Sequence, residues 1–252
     1  MNVVRSSKSA SVSDATRQVR VDLAAALRLA VRFGLHEGID NHFTVMLPGE
    51  TERFLLHPYG LHWSEMAASN LIVVDFEGRT IEGEGEVERS AFHIHSRIHK
   101  ASPRATCVMH THMPHATALS MVEDGRLEPA HQNALRFYDD VAYNDSFNGL
   151  VFDNDEGDRI ARALGEKRVL FCGNHGVIVV GHSIAEALDD LYFLERACQV
   201  QVLAMSTGRK LKRVPNEIAK ATFGNCDMQR SAAQHFDALK RLLDRDEPDY
   251  AR

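Results

Sequence analysis

A chain of 252 residues, 44% hydrophobic and 25% charged, has room for one large domain or two small ones around a real core. Its formal net charge of −6 lacks the basic excess that nucleic acid or an anionic membrane calls for, and no run approaches the ~20 apolar residues of a membrane span. No apolar signal core follows Arg5 and Lys8, and Cys107, Cys172, Cys198 and Cys226 lack CxxC spacing, which together predict a cytoplasmic protein with reduced core thiols.

In chain order, residues 1–12 are serine-rich and predict a flexible N-terminus. Ser13 or Asp14 can cap a helix running to Phe33, with Val19, Leu23, Leu27 and Ala30 on one face and Gly34 as its stop. Gly38-Ile39-Asp40-Asn41 turns the chain into a strand from His42 to Leu47. Pro48-Gly49-Glu50 turns it again into the short strand Phe54–His57, and Pro58-Tyr59-Gly60 forms a loop. A short helical piece between Ser64 and Ser69 precedes a buried strand, Leu71–Asp75. Residues 82–88 read as an acidic, glycine-punctuated linker. Phe92, His95, Ile98 and His99 then share one face of a helix that ends at Ser102-Pro103.

A strand follows in Cys107–Thr111, and Pro114 can start a helix through Leu119. The stretch from Glu123 to Asp158, rich in Gly, Asp and Asn, predicts a long functional loop or short strands. A short helix spans Asp158 to Leu164. Val169–Cys172 and Val177–Val180 flank a turn, as strand, turn and strand. Ser183 with Glu186 makes a capping box for a long helix to about Ser206, ended by Gly208. Beyond Pro215, helical patches reach Leu243 before a charged end. The whole reads as a mixed α/β chain without internal repeats.

The chemistry centres on Val108-Met109-His110-Thr111-His112. A strand's period of two throws His110 and His112 to the same side. Imidazoles placed so can share one divalent metal, whose Zn–N bonds are only ~2.0–2.1 Å long. The best third ligand is His175 in Cys172-Gly173-Asn174-His175-Gly176, where glycines let backbone approach closely. Most of the fourteen histidines are expected to be ordinary hydrogen-bonded or surface residues, and His36, His62, His182 and His235 read that way. His110 and His112 differ because they are paired where an apolar run ends, and active sites gather where a rigid strand meets an adaptable loop.

In their order and separation, these pieces resemble the class II aldolase/adducin superfamily, which includes fuculose-phosphate aldolase and ribulose-phosphate 4-epimerase. The resemblance runs from roughly Leu23 to Gly208, through Gly38-Ile39-Asp40-Asn41-His42-Phe43, Pro58-Tyr59-Gly60, the helix before Pro103, and the two histidine segments. It implies an α/β fold in three layers, α/β/α, with a central mostly antiparallel sheet flanked by helices. On that reading residues 1–12 are the flexible N-terminus, 13–210 the aldolase-like domain, and 211–252 a helical extension with a charged tail. The family is usually a homotetramer with active sites between subunits.

Residue by residue, His110, His112 and His175 match the metal-binding histidines, with zinc commonest and manganese or iron in some members. The family's aldolases use the metal as a Lewis acid, gripping carbonyl and hydroxyl oxygens and stabilising an enediolate as a C–C bond breaks or forms. Asn41 and Gly60 match loop positions that bind the substrate's phosphate or carboxylate, and Tyr59 lies beside Gly60. Here His57-Pro58-Tyr59-Gly60-Leu61-His62 offers aromatic and imidazole groups instead of a small Thr-Gly pair, closer to the decarboxylases than to the sugar-phosphate enzymes.

The family's acid/base glutamate stands four residues before the helical histidine that matches His95, and Ala91 occupies that place. Glu88 is the nearest carboxylate, read either as the displaced acid/base or as a solvated acid ending an acidic run. His95, or His99 beside it, is the other candidate for proton transfer, or else part of a packing face. The expectation is a metal-dependent lyase, aldolase or decarboxylase, acting on a small hydroxy-carbonyl or carboxylate substrate. An Fe(II) oxygenase and a non-catalytic interaction domain, as in adducin, are the alternatives.

Overall fold

Alternation along the strands decides the layers. The computed structural model describes residues 6–224 and 228–252; Cys226 and the first five residues lie outside them. The strands are β1 (His42–Met46), β2 (Arg53–Leu56), β3 (Ile72–Asp75), β4 (Thr80–Glu82), β5 (Cys107–Thr111), β6 (Val141–Asn144), β7 (Val169–Cys172) and β8 (Gly176–Gly181). They form one sheet in the order β4-β3-β2-β1-β5-β8-β7-β6. Every pairing is antiparallel except β6 with β7. The helices are α1 (Ser6–Phe33), α2 (Arg89–Ala101), α3 (Pro114–Ser120), α4 (Asn154–Leu164), α5 (Ile184–Met205), α6 (Asn216–Gly224) and α7 (Met228–Asp246).

Phe43, Val45, Cys107, Met109, Val177 and Val179 point to one face of the sheet and pack with Leu23, Leu27, Leu191 and Leu243 from α1, α5 and α7. Val108, Leu170, Ile178 and Val180 point to the other face and meet Ile94 and Ile98 of α2 and Ile160 and Leu164 of α4. Three layers result, α/β/α, because strands apolar on both sides must be covered on both sides. Cys107, Cys172 and Cys198 are free and buried. Among the described residues no helix is long and apolar enough to cross a membrane.

Helix ends follow local chemistry, with three departures from expectation. α1 begins at Ser6 instead of Ser13 or Asp14. Serine costs only a few tenths of a kcal/mol in a helix, and once the buried face has nucleated one, each further residue adds a bond. α4 begins at Asn154, before Asp158, because Asp153 accepts the Glu156 N–H at 2.9 Å as a cap. At α5, Ser183 accepts the Glu186 N–H, but the Glu186 carboxylate reaches back to the His182 N–H, one residue before the reciprocal bond of a capping box.

Helices α2 and α4 approach closely at Gly157, where a Cβ would strike the His93 carbonyl and come within 2.8 Å of Arg97 Cγ. Arg97 also clamps Asp158 with two bonds, of 2.5 and 2.9 Å. Gly157→Ala is therefore expected to force the helices apart at a cost of about 1–3 kcal/mol. The measurement is a lower urea midpoint with an unchanged m-value; an unmoved midpoint would mean the helices slide at no cost.

Candidate metal centre

β5 lies between β1 and β8, which places His110 opposite His42 on one side and Ile178 on the other. Its ring is 1% exposed, and Nδ1 lies 3.0 Å from the Val177 carbonyl. A carbonyl only accepts, so Nδ1 carries the hydrogen and Nε2 is bare. His112, just past the end of β5, sets Nδ1 2.7 Å from the Glu37 carboxylate, which fixes the same arrangement. The two bare Nε2 atoms face each other at 3.2 Å. Two bonds of ~2.0–2.1 Å from one tetrahedral centre would place their nitrogens ~3.3 Å apart.

His175 closes the group. Its ring lies 4.7 Å from that of His110 and 4.8 Å from that of His112. Ligand atoms of all three lie within 4.8 Å of one another. The β7–β8 hairpin delivers it through Asn174, left-handed at φ 56°, whose N–H donates to the Ser120 carbonyl. Gly176 must stay bare, since a Cβ would lie 2.5 Å from the Thr111 oxygen and 2.9 Å from the His112 ring. Burial and neighbouring histidines hold His110 well below its ordinary pKa and bring His175 down to about 4. Three imidazoles with converging ring nitrogens are the donor set that zinc, manganese or iron accepts.

Sequence reasoning missed Glu37, which orients His112. Glu37→Gln is expected to weaken metal binding by about 10-fold, the lower end for an outer partner, because the carboxylate is largely exposed. Competition with a chelator measures it, and unchanged affinity would remove Glu37 from the site.

His42 was also missed as a functional residue. It stacks on His110 with ring centroids 5.0 Å apart, and its register opposite His110 is the signal that a known strand pairing would have supplied. Glu88 caps α2: Oε2 accepts the Ala91 N–H and the Ser90 hydroxyl, each at 2.6 Å, and lies 3.5 Å from His42 Nε2. The carboxylate thus sits fixed beside His42. Ala91, four residues before His95, is buried against Phe54, Leu56 and Val74. His95 is fully buried, with its ring nitrogens on His42 and Thr44, and His99 bonds Thr44 and the Ala105 carbonyl.

Asn41 is buried, its side-chain oxygen 3.4 Å from the His112 N–H. Tyr59 is 43% exposed, and its N–H donates to the Glu86 carbonyl, tying the loop with Gly60 to the segment that carries Glu88.

A family model described as Class II Aldolase and Adducin N-terminal domain matches residues 21–202. The crystal structure of an aldolase II superfamily protein from Pseudomonas syringae is 35% identical, with a TM-score of 0.89, covering 94% of this chain and 96% of that one. An L-fuculose 1-phosphate aldolase from Glaciozyma antarctica PI12 is 28% identical, with a TM-score of 0.85, over 96% of this chain and 94% of that one. Alpha-adducin of Mus musculus is 33% identical over 97% of this chain, which spans 35% of adducin's length. Decarboxylase NovR of Streptomyces niveus is 34% identical, over 79% of this chain and 74% of that protein.

Proposed function

The chain belongs to the class II aldolase and adducin family, and from that premise we propose that it is a metal-dependent lyase whose ligands are His110, His112 and His175. The observation that carries this reading is the convergence of the three rings: the Nε2 atoms of His110 and His112 lie 3.2 Å apart, close to the spacing of two ligands on one ion, and ligand atoms of all three lie within 4.8 Å of one another. A divalent ion held there, zinc first, would supply a Lewis acid for a substrate carbonyl and leave coordination positions open. A scaffold without chemistry gains nothing from three imidazoles that converge on one point, His110 among them buried.

In this reading Glu88 takes and returns the substrate's proton. Its place at the start of α2, beside His42, is set by the Ala91 and Ser90 bonds, so it needs no reorganisation to act. Asn41 holds the backbone of His112, and Tyr59 and Gly60 border the substrate, a small hydroxy-carbonyl or carboxylate compound. His95 holds His42. Decarboxylation is the second reading, favoured by the likeness to Decarboxylase NovR. Both reactions build negative charge beside the same carbonyl, so the same residues serve either. The assembly proposed with it is a homotetramer with sites between subunits.

The test is elemental analysis of tag-free protein before and after chelation. Deuterium exchange beside the carbonyl of hydroxyacetone and dihydroxyacetone phosphate, and CO2 release from 2-keto acids, complete it. About one zinc or manganese per chain, with turnover abolished by chelation, is the expected result. Iron with oxygen uptake would replace the lyase by an oxygenase. Metal-free protein that never met a chelator would leave an adducin-like interaction domain.

A further inference from the structure

Glu88 stands at one end of a file of buried polar groups that ends on the Ala105 carbonyl. Its Oε2 lies 3.5 Å from His42 Nε2, and His42 Nδ1 lies 3.2 Å from His95 Nε2. His95 Nδ1 is 2.6 Å from Thr44 Oγ1, which is 2.8 Å from His99 Nε2. His99 Nδ1 meets the Ala105 oxygen at 2.5 Å. Thr44 and His95 are 0% exposed, His42 4% and His99 9%. An unpaired polar group in such a place costs ~1–3 kcal/mol, so the hydrogens must be arranged to satisfy every contact they can.

The direction of each bond follows from the end that has no choice. The Ala105 carbonyl only accepts, so His99 carries its hydrogen on Nδ1. Burial brings His99 down to about 4, which leaves the ring neutral and Nε2 bare. The Thr44 hydroxyl must donate its single hydrogen there, and can therefore only accept from His95. His95 carries its hydrogen on Nδ1 and, neutral in a site without a countercharge, has a bare Nε2. His42 must donate to that atom from Nδ1. In a neutral ring, a hydrogen on Nδ1 leaves a lone pair on Nε2, the atom that faces Glu88.

We infer that Thr44 and His99 are positioning residues: anchored on the Ala105 carbonyl, they lock His95 and His42 in the Nδ1–H form, so that an acceptor faces Glu88 beside the metal centre. A Glu88 carboxyl group that has collected a proton finds that acceptor within reach. As a carboxylate it keeps its bonds from the Ala91 N–H and the Ser90 hydroxyl but gains none from the His42 ring. The role of Glu88 rests on the lyase reading; the polarity of the file rests on the contact distances and on rings that burial keeps neutral.

Nitrogen-15 spectra of the histidine rings in zinc-loaded protein test it without any substrate. Wild type and Thr44→Ser are expected to show His42 and His95 protonated at Nδ1. Thr44→Val can neither accept from His95 nor donate to His99, and both rings are expected to move to the Nε2–H form, which meets Glu88 directly. Hydrogen on Nε2 of His42 or His95 in wild type would overturn the inference, and this spectrum decides it even where the valine variant fails to fold. Unchanged rings in a folded Thr44→Val protein would overturn it as well.

A second readout separates positioning from packing. Deuterium exchange into hydroxyacetone is expected to fall about tenfold in Thr44→Val at unchanged zinc content and to return in Thr44→Ser. Exchange at the wild-type rate in Thr44→Val would overturn the positioning role. Absence of exchange in wild type itself would count against the lyase reading, while the ring spectra would still decide the polarity of the file.

Discussion

Alanine in place of His110 is expected to strip the protein of its metal while leaving it folded. His110 is the most buried of the three histidines, and its Nδ1–H on the Val177 carbonyl makes it the rigid member of the set. Losing an outer partner of a ligand costs ~10–100-fold in affinity, and losing the ligand itself must cost more. Metal content should fall from about one per chain to less than about a tenth after dialysis. The structural cost is the orphaned Val177 carbonyl, ~1–3 kcal/mol, against a native total of ~5–15 kcal/mol. Circular dichroism should therefore be near that of wild type. His112→Ala is the companion variant. Stoichiometric metal retained in both would refute the ligand assignment.

Glu88→Gln should lower turnover by about 100-fold or more at unchanged metal content, since a general acid/base typically contributes 10²–10⁴-fold. The variant is informative because a glutamine oxygen can still accept the Ala91 N–H that starts α2. What is lost at the helix end is the charge near its N-terminus, worth ~0.3–1 kcal/mol, so stability should change little. A large fall in rate with little fall in stability identifies chemistry. Wild-type turnover in this variant would reduce Glu88 to a helix cap, and proton transfer would have to be sought elsewhere around the centre.

Much of the candidate site was legible before any coordinates. The alternation Val108-Met109-His110-Thr111-His112 put two imidazoles on one side of a strand, and the glycines around Asn174-His175 marked a tight hairpin. Pro114 and Ser183 announced helix starts because proline at the first position and serine at the cap are local rules that act within four residues. The order of the motifs along the chain supplied the family and, with it, the layered fold.

Only the tertiary structure brought Glu37 to His112, His42 to His110, and Glu88 to His42. These partners lie far apart in sequence, and their meeting depends on β1 sitting between β2 and β5 and on α2 crossing that part of the sheet. It also decided which nitrogen of each ring carries the hydrogen, since that is set by the carbonyls of Val177 and Ala105 and by a carboxylate, none of which spacing can reveal. Periodicity and capping act over a turn or a strand, so most of the elements and the three candidate histidines could be read from the sequence by itself, while β4 and the exact helix starts could not. The protonation pattern around them is a property of long-range packing, where burial makes each unpaired polar atom costly enough to leave one arrangement.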